Sequence, residues 1–165
     1  TPLATCTPPR GRLLAAGDGA PVGSLVPRPW RPAVLGAEQS GTLAAIAQGP
    51  FIMQCGRGWG DDRFAAIGAN IRTRPSAFDQ ALDIVRRLLA GEEVTFAGEH
   101  YQVDRHRCFP LPTRSHLPLL IGGNGRGLLS TAARLADIVS FTGFSQVEGE
   151  RNVDPTHFTV VGLNA

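Results

Sequence analysis

The sequence predicts an α/β fold in which strands and helices alternate to give parallel βα units, arranged as an α/β barrel or a doubly wound sheet. Three observations carry this expectation. Short apolar runs end in glycine, as in "FIMQCGRG" and "LLIGGNG". Segments of helical period separate them. Only "EEVTFAGEHYQVD" breaks the alternation. Composition alone does not choose between the two architectures.

Taken in order, the first twenty residues are rich in Pro and Gly and carry no convincing period, so no element is assigned there. "PVGSLV" reads as a short strand, Val22 to Val26. "PRPWRP" ends it, and Pro32 is well placed to open a helix through "AVLGAEQSGTLAAIA", which Gly36 and Gly41 weaken. Phe51 to Cys55 forms the next strand and closes in glycines. Ser76 with Asp79 is an N-terminal capping signal for the most regular helix of the chain. Its apolar positions are Phe78, Ala81, Leu82, Val85, Leu88 and Leu89, and it stops at Gly91. Val94 and Phe96 then alternate against Tyr101 and Val103 around a glycine, a small antiparallel hairpin inserted over residues 92–104.

A proline-marked loop, "FPLPTRSHLP", leads to Leu119-Leu120-Ile121, short and wholly apolar as expected of a parallel strand buried on both faces. Gly122-Gly123-Asn124-Gly125 follows and lets the backbone pass close to a ligand. Next comes a helix with Leu128, Leu129, Ala132, Ala133 and Ala136 on one side, and then a strand, Asp137 to Phe141. A strand that passes through glycines into a helix N-terminus aims free N–H groups and a positive dipole end at one point. That point favours an anion.

With 165 residues, 42% hydrophobic content and a formal charge of +2, the chain can bury a core and is neither disordered nor strongly basic, which argues against a nucleic-acid partner. No run approaches the roughly 18 to 20 apolar residues of a membrane span, and "TPLATCTPPRGR" lacks the apolar core of a signal peptide. The expected location is cytoplasmic. Cys6, Cys55 and Cys108 are widely spaced with no CxxC pair, so free thiols are expected rather than a disulfide framework or a zinc site. The chain contains no lysine. A P-loop needs one beside its phosphates and a pyridoxal enzyme needs one for its Schiff base, so both classes drop out.

The order and spacing of these motifs from about Pro21 to Phe144 resemble the bacterial luciferase-like family of flavin- or deazaflavin-dependent oxidoreductases. "GSLVPRPWRPAVLGAEQSGTLAAIAQGPFIMQCGRGWGDDRFAAIG" looks like that family's third strand, helix and fourth strand. "FDQALDIVRRLLAGEEVTFAGEHYQV" is similar to its long helix and hairpin, and "PLLIGGNGRGLLSTAARLADIVSFTGF" to its fifth strand, phosphate turn, helix and sixth strand. The resemblance implies a TIM-type (β/α)8 barrel with the cofactor at the C-terminal ends of the strands. A full barrel takes about 250 residues, so one partial barrel domain over residues 1–165 is expected, with a tail of uncertain structure at 145–165. Either the chain is a fragment of a longer polypeptide, the favoured expectation, or it is a truncated relative that covers its open strand edges with a partner, most simply in a homodimer.

By the same resemblance, Gly122, Gly123, Asn124 and Gly125 contact the phosphate of FMN or of the deazaflavin coenzyme F-420, and Arg126 adds a charge; the plain alternatives are an unliganded βα turn and a solvated arginine. Gly56, Arg57, Gly58 and Trp59 would lie beside the cofactor, with Arg57 pairing a phosphate or carboxylate and Trp59 walling the pocket. Ser24, Leu25 and Val26 match the strand that lies against the flavin ring. The implied activity is reduction or oxygenation of a small organic substrate; the rival reading is a silent flavin-binding or interaction protein.

No catalytic acid or base is assigned. Glu38 reads as a solvated or helix-pairing residue, Asp61-Asp62 as caps, and His100, His106, His116 and His157 fit no metal-ligand spacing.

Overall fold

The computed structural model describes residues 22–27 (main chain), 32–47, 50–58 and 60–141. The expectations for residues 1–21, Trp59, His157 and the tail at 145–165 lie outside them. In chain order the elements are β1 (Val22–Pro27), α1 (Ala33–Ile46), β2 (Phe51–Gly56), α2 (Asp61–Ala66), a 3₁₀ turn (Ile71–Thr73), α3 (Arg74–Leu89), β3 (Val94–Ala97), β4 (Gln102–His106), β5 (Leu119–Gly122), α4 (Arg126–Leu135) and β6 (Ile138–Ser140).

Four strands form one sheet in the order β1-β2-β5-β6, every pair parallel. The order follows the chain without reversal. A doubly wound sheet reverses its strand order and carries helices on both faces, whereas a barrel winds in one direction with helices outside. Burial separates the faces in the same way. Phe51, Met53 and Cys55 of β2 and Leu119 and Ile121 of β5 are buried, while Ile52, Gln54 and Leu120 are only partly covered.

The expectation that β5 is buried on both faces is therefore corrected for the described residues. Its alternate residues, Leu120 and Gly122, look toward the other side of the sheet, where they are only partly covered. On the convex side, Met53, Cys55 and Ile121 join Ala33 and Ala37 of α1, Phe78, Ala81, Leu82, Val85 and Leu88 of α3, and Leu128 and Ala132 of α4 in one core cluster.

α3 supplies the largest share of that core because apolar residues recur every three or four positions along its 16 residues. The expected capping signal is misplaced, however. The helix begins at Arg74 with Pro75 in its first turn, behind a 3₁₀ turn in which the Asn70 carboxamide oxygen accepts from Arg72 N–H at 2.9 Å. Ser76 is thus already helical, and Asp79 faces elsewhere. The helix that Asp61-Asp62 were expected to cap is α2, but both lie inside its first turn, with Gly60, not a side chain, at the N-cap.

In α1 the two glycines are contact points. Gly36 and Gly41 are both buried, and a Cβ on Gly41 would collide with the Pro110 carbonyl oxygen. On α4, Leu128 and Ala132 are buried as expected, but Ala133 is exposed and Thr131 takes a buried place instead. The hairpin is antiparallel with Phe96 opposite Val103, and β4 runs two residues beyond the expected end. No helix among the described residues is long and apolar enough to cross a membrane.

Candidate active site

Register brings the C-terminal ends of the four strands into one row: Pro27 lies beside Gly56, an added Cβ on Gly56 would stand 3.4 Å from the Gly122 carbonyl oxygen, and Gly122 pairs with Ser140. The glycine turns after β2 and β5 therefore rise side by side from one rim. The main chain of Ser24, Leu25 and Val26 sits one strand away, paired with Met53, Gln54 and Cys55. Of the three clusters that the resemblance assigns to one cofactor site, the described residues thus have their backbones on neighbouring strands or the turns that follow them.

The turn after β5 divides its labour among its residues. Gly123 N–H donates to the Ser140 carbonyl oxygen at 3.0 Å, so this amide extends the β5-β6 ladder and does not point outward, a correction to the expectation that the whole turn offers free donors. Its glycine is needed for shape. The φ of Gly123 is 147°, and an added Cβ would strike Cδ2 of buried Leu128. Gly125 is the N-cap of α4 and its carbonyl accepts from Leu128 and Leu129, both at 2.9 Å.

The first amides of a helix have no acceptor within it, and in α4 these belong to the exposed residues Arg126 and Gly127. No acidic residue stands in the first turn of α4, whereas Arg126 opens it. A cation at the positive end of a helix dipole opposes it by roughly 0.3–1 kcal/mol, so the charge pattern here favours an incoming anion over helix stability.

Arg57, one position past the end of β2, approaches the same helix end. Its guanidinium fills the space that a side chain on Gly127 would take: a Cβ there would lie 3.3 Å from Nη1 and 3.9 Å from Nη2. Nη2 is 3.4 Å from Asp79 Oδ1, the guanidinium carbon stands 5.8 Å from the centre of the Phe78 ring, and Nε is buried without a hydrogen-bond partner among the described residues. The side chain is 15% exposed. A buried guanidinium with an unmet donor is costly unless an acceptor completes its set. Nη1, the guanidinium nitrogen nearest the start of α4, is placed to meet an anion there, so the residues present are compatible with the phosphate of the implied cofactor.

One arginine that the sequence analysis leaves aside, Arg74, also shapes the rim. Arg74 Nη1 donates to the Gly58 carbonyl oxygen at 2.9 Å and so ties the β2 turn to the start of α3; Gly58 and Gly60 take φ values of 73° and 91°. No sequence signal marks a 16-residue separation of this kind.

Titratable groups outside the rim do structural work. Ser76, His100 and Glu99 meet, but they make no nucleophile relay. Ser76 Oγ donates to the Thr73 carbonyl at 3.1 Å, and both Ser76 Oγ (2.7 Å) and Glu99 Oε2 (3.5 Å) lie on the same ring nitrogen, Nε2. His106 Nε2 is 3.3 Å from Glu38 Oε1, so Glu38 pairs with the hairpin. Among the described residues no three His, Cys, Asp or Glu side chains gather where they would hold a metal ion.

At the opposite end of the sheet Asp137 ties the entries of β5 and β6. Oδ2 accepts Leu119 N–H at 2.8 Å, Oδ1 is 2.9 Å from His116 Nε2, and Asp137 N–H donates to the Leu119 carbonyl at 2.9 Å. The Leu119 amide, helped by His116, holds this carboxyl below its ordinary pKa against a smaller opposing effect of burial.

Comparison with known proteins agrees with this geometry. An uncharacterized protein of Mycobacterium tuberculosis is 34% identical over 107 residues, which are 64% of this chain and 36% of that protein; the chain thus spans little more than a third of this relative. Among solved structures, riboflavin lyase with modified FMN and riboflavin superposes with a TM-score of 0.74 at 12% identity, covering 84% of this chain and 37% of that one. An F420-dependent secondary alcohol dehydrogenase in complex with an F420-acetone adduct superposes with a TM-score of 0.71 at 19% identity, over 84% of this chain and 43% of that one. These likenesses identify the sheet as an arc of a (β/α)8 barrel, with the glycine rim at the end where such barrels carry their chemistry. A family model described as luciferase-like monooxygenase matches residues 22–154, which span every described element from β1 to β6, and the chain belongs to that family.

Proposed function

We propose that this chain forms the phosphate-anchoring arc of an oxidoreductase that uses reduced FMN or coenzyme F-420 to oxygenate or reduce a small organic substrate. The observation that carries the reading is the start of α4, where two arginines, Arg57 and Arg126, flank helix amides with no intrahelical acceptor and the Arg57 Nε lacks a partner among the described residues. Family membership and the solved neighbours holding F420 and modified FMN support it.

In this reading the amides of Arg126 and Gly127 and the guanidinium of Arg57 hold the phosphate. Gly122, Gly123, Asn124 and Gly125 give the turn its path, and Arg126 adds long-range attraction. Gly56, Gly58 and Trp59 border the ring, and the main chain of Ser24, Leu25 and Val26 lies along it. The cofactor supplies hydride transfer or, as reduced FMN with oxygen, oxygenation; the protein orients it and excludes water. A homodimer in the cytoplasm belongs to the same proposal.

Titration of the purified protein with FMN and with coenzyme F-420 tests the reading. Saturable fluorescence quenching of at least one is expected, together with turnover of an added reductant or oxidisable substrate. Binding without turnover would favour a silent flavin-binding protein, and no binding of either up to millimolar concentration would overturn the assignment.

A further inference from the structure

We infer that Asp79 is a positioning residue for the anion site: it holds one end of the Arg57 guanidinium so that the other end stays at the N-terminus of α4. This rests on the phosphate reading above, and it adds a residue on a different helix whose sequence signal pointed to capping instead.

The guanidinium nitrogens are placed for different partners. Nη2 lies 3.4 Å from Asp79 Oδ1, whereas Nη1 is the atom nearest the vacant Cβ position of Gly127, at 3.3 Å. Asp79 is itself restrained. Thr131, 3% exposed, has its hydroxyl 3.4 Å from Asp79 Oδ1 and 3.1 Å from the Gly127 carbonyl, so one side chain links the carboxylate to the first turn of α4. Phe78, the neighbour of Asp79 on α3, places its ring 5.8 Å from the Arg57 guanidinium carbon. Carboxylate, hydroxyl and ring thus confine an arginine side chain that would otherwise sample many rotamers, and confinement lowers the entropy lost when a phosphate is gripped.

Stability alone does not account for the pair. Asp79 is 47% exposed and the contact is long, and ion pairs of this kind contribute little to folding. The geometry matters more than the energy of the pair. Asp79 reaches Nη2, the nitrogen farther from the Gly127 Cβ position at 3.9 Å, and leaves Nη1, at 3.3 Å, toward the helix end.

The experiment compares Asp79→Asn with the wild-type protein in binding FMN and riboflavin, and coenzyme F-420 and its phosphate-free deazaflavin alcohol. The ratio within each pair isolates the phosphate. Wild type is expected to prefer the phosphorylated member of at least one pair, and Asp79→Asn to lose on the order of tenfold of that preference with little change for the phosphate-free member. Asp79→Glu should restore part of it. Thr131→Val, which removes the hydroxyl but keeps the volume, should shift the ratio in the same direction by less. A general structural defect would weaken both members of a pair alike, and that result overturns the positioning role. An unchanged or increased preference in Asp79→Asn also overturns it, the increase meaning that Asp79 competes with the phosphate. Absence of any preference in the wild type overturns the phosphate reading itself, and the inference with it.

Discussion

Two glycines of the β5 turn, two residues apart, should respond very differently to alanine. At Gly123 the φ of 147° lies where a Cβ is strained, at about 1–3 kcal/mol for a residue held in such a region. The added methyl would also run into Cδ2 of Leu128, a 6% exposed member of the core; displacing it from a close-packed site costs about 1–3 kcal/mol more. Gly123→Ala should therefore destabilise the protein by roughly 2–6 kcal/mol. Gly125 has φ −72° and open space at its Cβ position. There the gain of about 0.4–1 kcal/mol from restricting the unfolded chain is offset by alanine being a poorer N-cap than glycine, so the change should stay within about 1 kcal/mol of zero. Urea denaturation of both variants and the wild type, with m-values checked for constancy, measures the difference. If Gly123→Ala cost less than about 0.5 kcal/mol, or the two variants behaved alike, the turn would not have the backbone path described.

Other consequences follow from the same contacts. Because the Leu119 amide and His116 hold the Asp137 carboxyl below its ordinary 3.8, its contribution is complete above that pH and fades as pH falls through the lowered value. Acid unfolding should thus begin at higher pH in Asp137→Asn, which lacks that contribution throughout, and identical acid transitions would refute the tie. Cys55 and Cys108 are buried thiols outside any disulfide, and burial, reinforced by Glu38, pushes the Cys108 thiol up. Both should react with a thiol reagent at neutral pH only in denaturant, whereas rapid native labelling of either would contradict its burial. Phe78→Ala, at a residue with no exposure at the centre of α3, should cost about 3–5 kcal/mol in the same urea assay and disturb Arg57 through loss of the ring contact. A cost below 1 kcal/mol would place Phe78 outside the core.

Much of the architecture was legible because its signals are local. β2 and β5 announce themselves as apolar runs closed by glycine, and α3 by a repeat of buried positions that any helix of that period must show. What escaped depends on contacts between distant residues. Ser76 and Asp79 have the spacing of a cap, yet the helix starts earlier because the 3₁₀ turn capped by Asn70 and Pro75 at the first turn already set its direction. Asp79 is then released to meet Arg57, 22 residues away in sequence. The glycines of the β5 turn look equivalent in the sequence. Only the pairing of Gly122 with Ser140 and the packing of Leu128 reveal that Gly123 is fixed by shape and carries a spent amide, while the open donors begin later. The continuous apolar run of β5 suggested burial on both faces, but burial of the second face depends on whatever covers the concave side of the barrel arc.

A crystal structure of the protein with FMN or coenzyme F-420 reads the seating of the cofactor without intermediaries. The phosphate should accept hydrogen bonds from the amides at the start of α4, with the Arg57 guanidinium beside it and the ring toward β1. A phosphate bound at any other place, with Arg57 still turned to Asp79 alone and the first amides of α4 facing water, would contradict the assignment of this rim as the cofactor site.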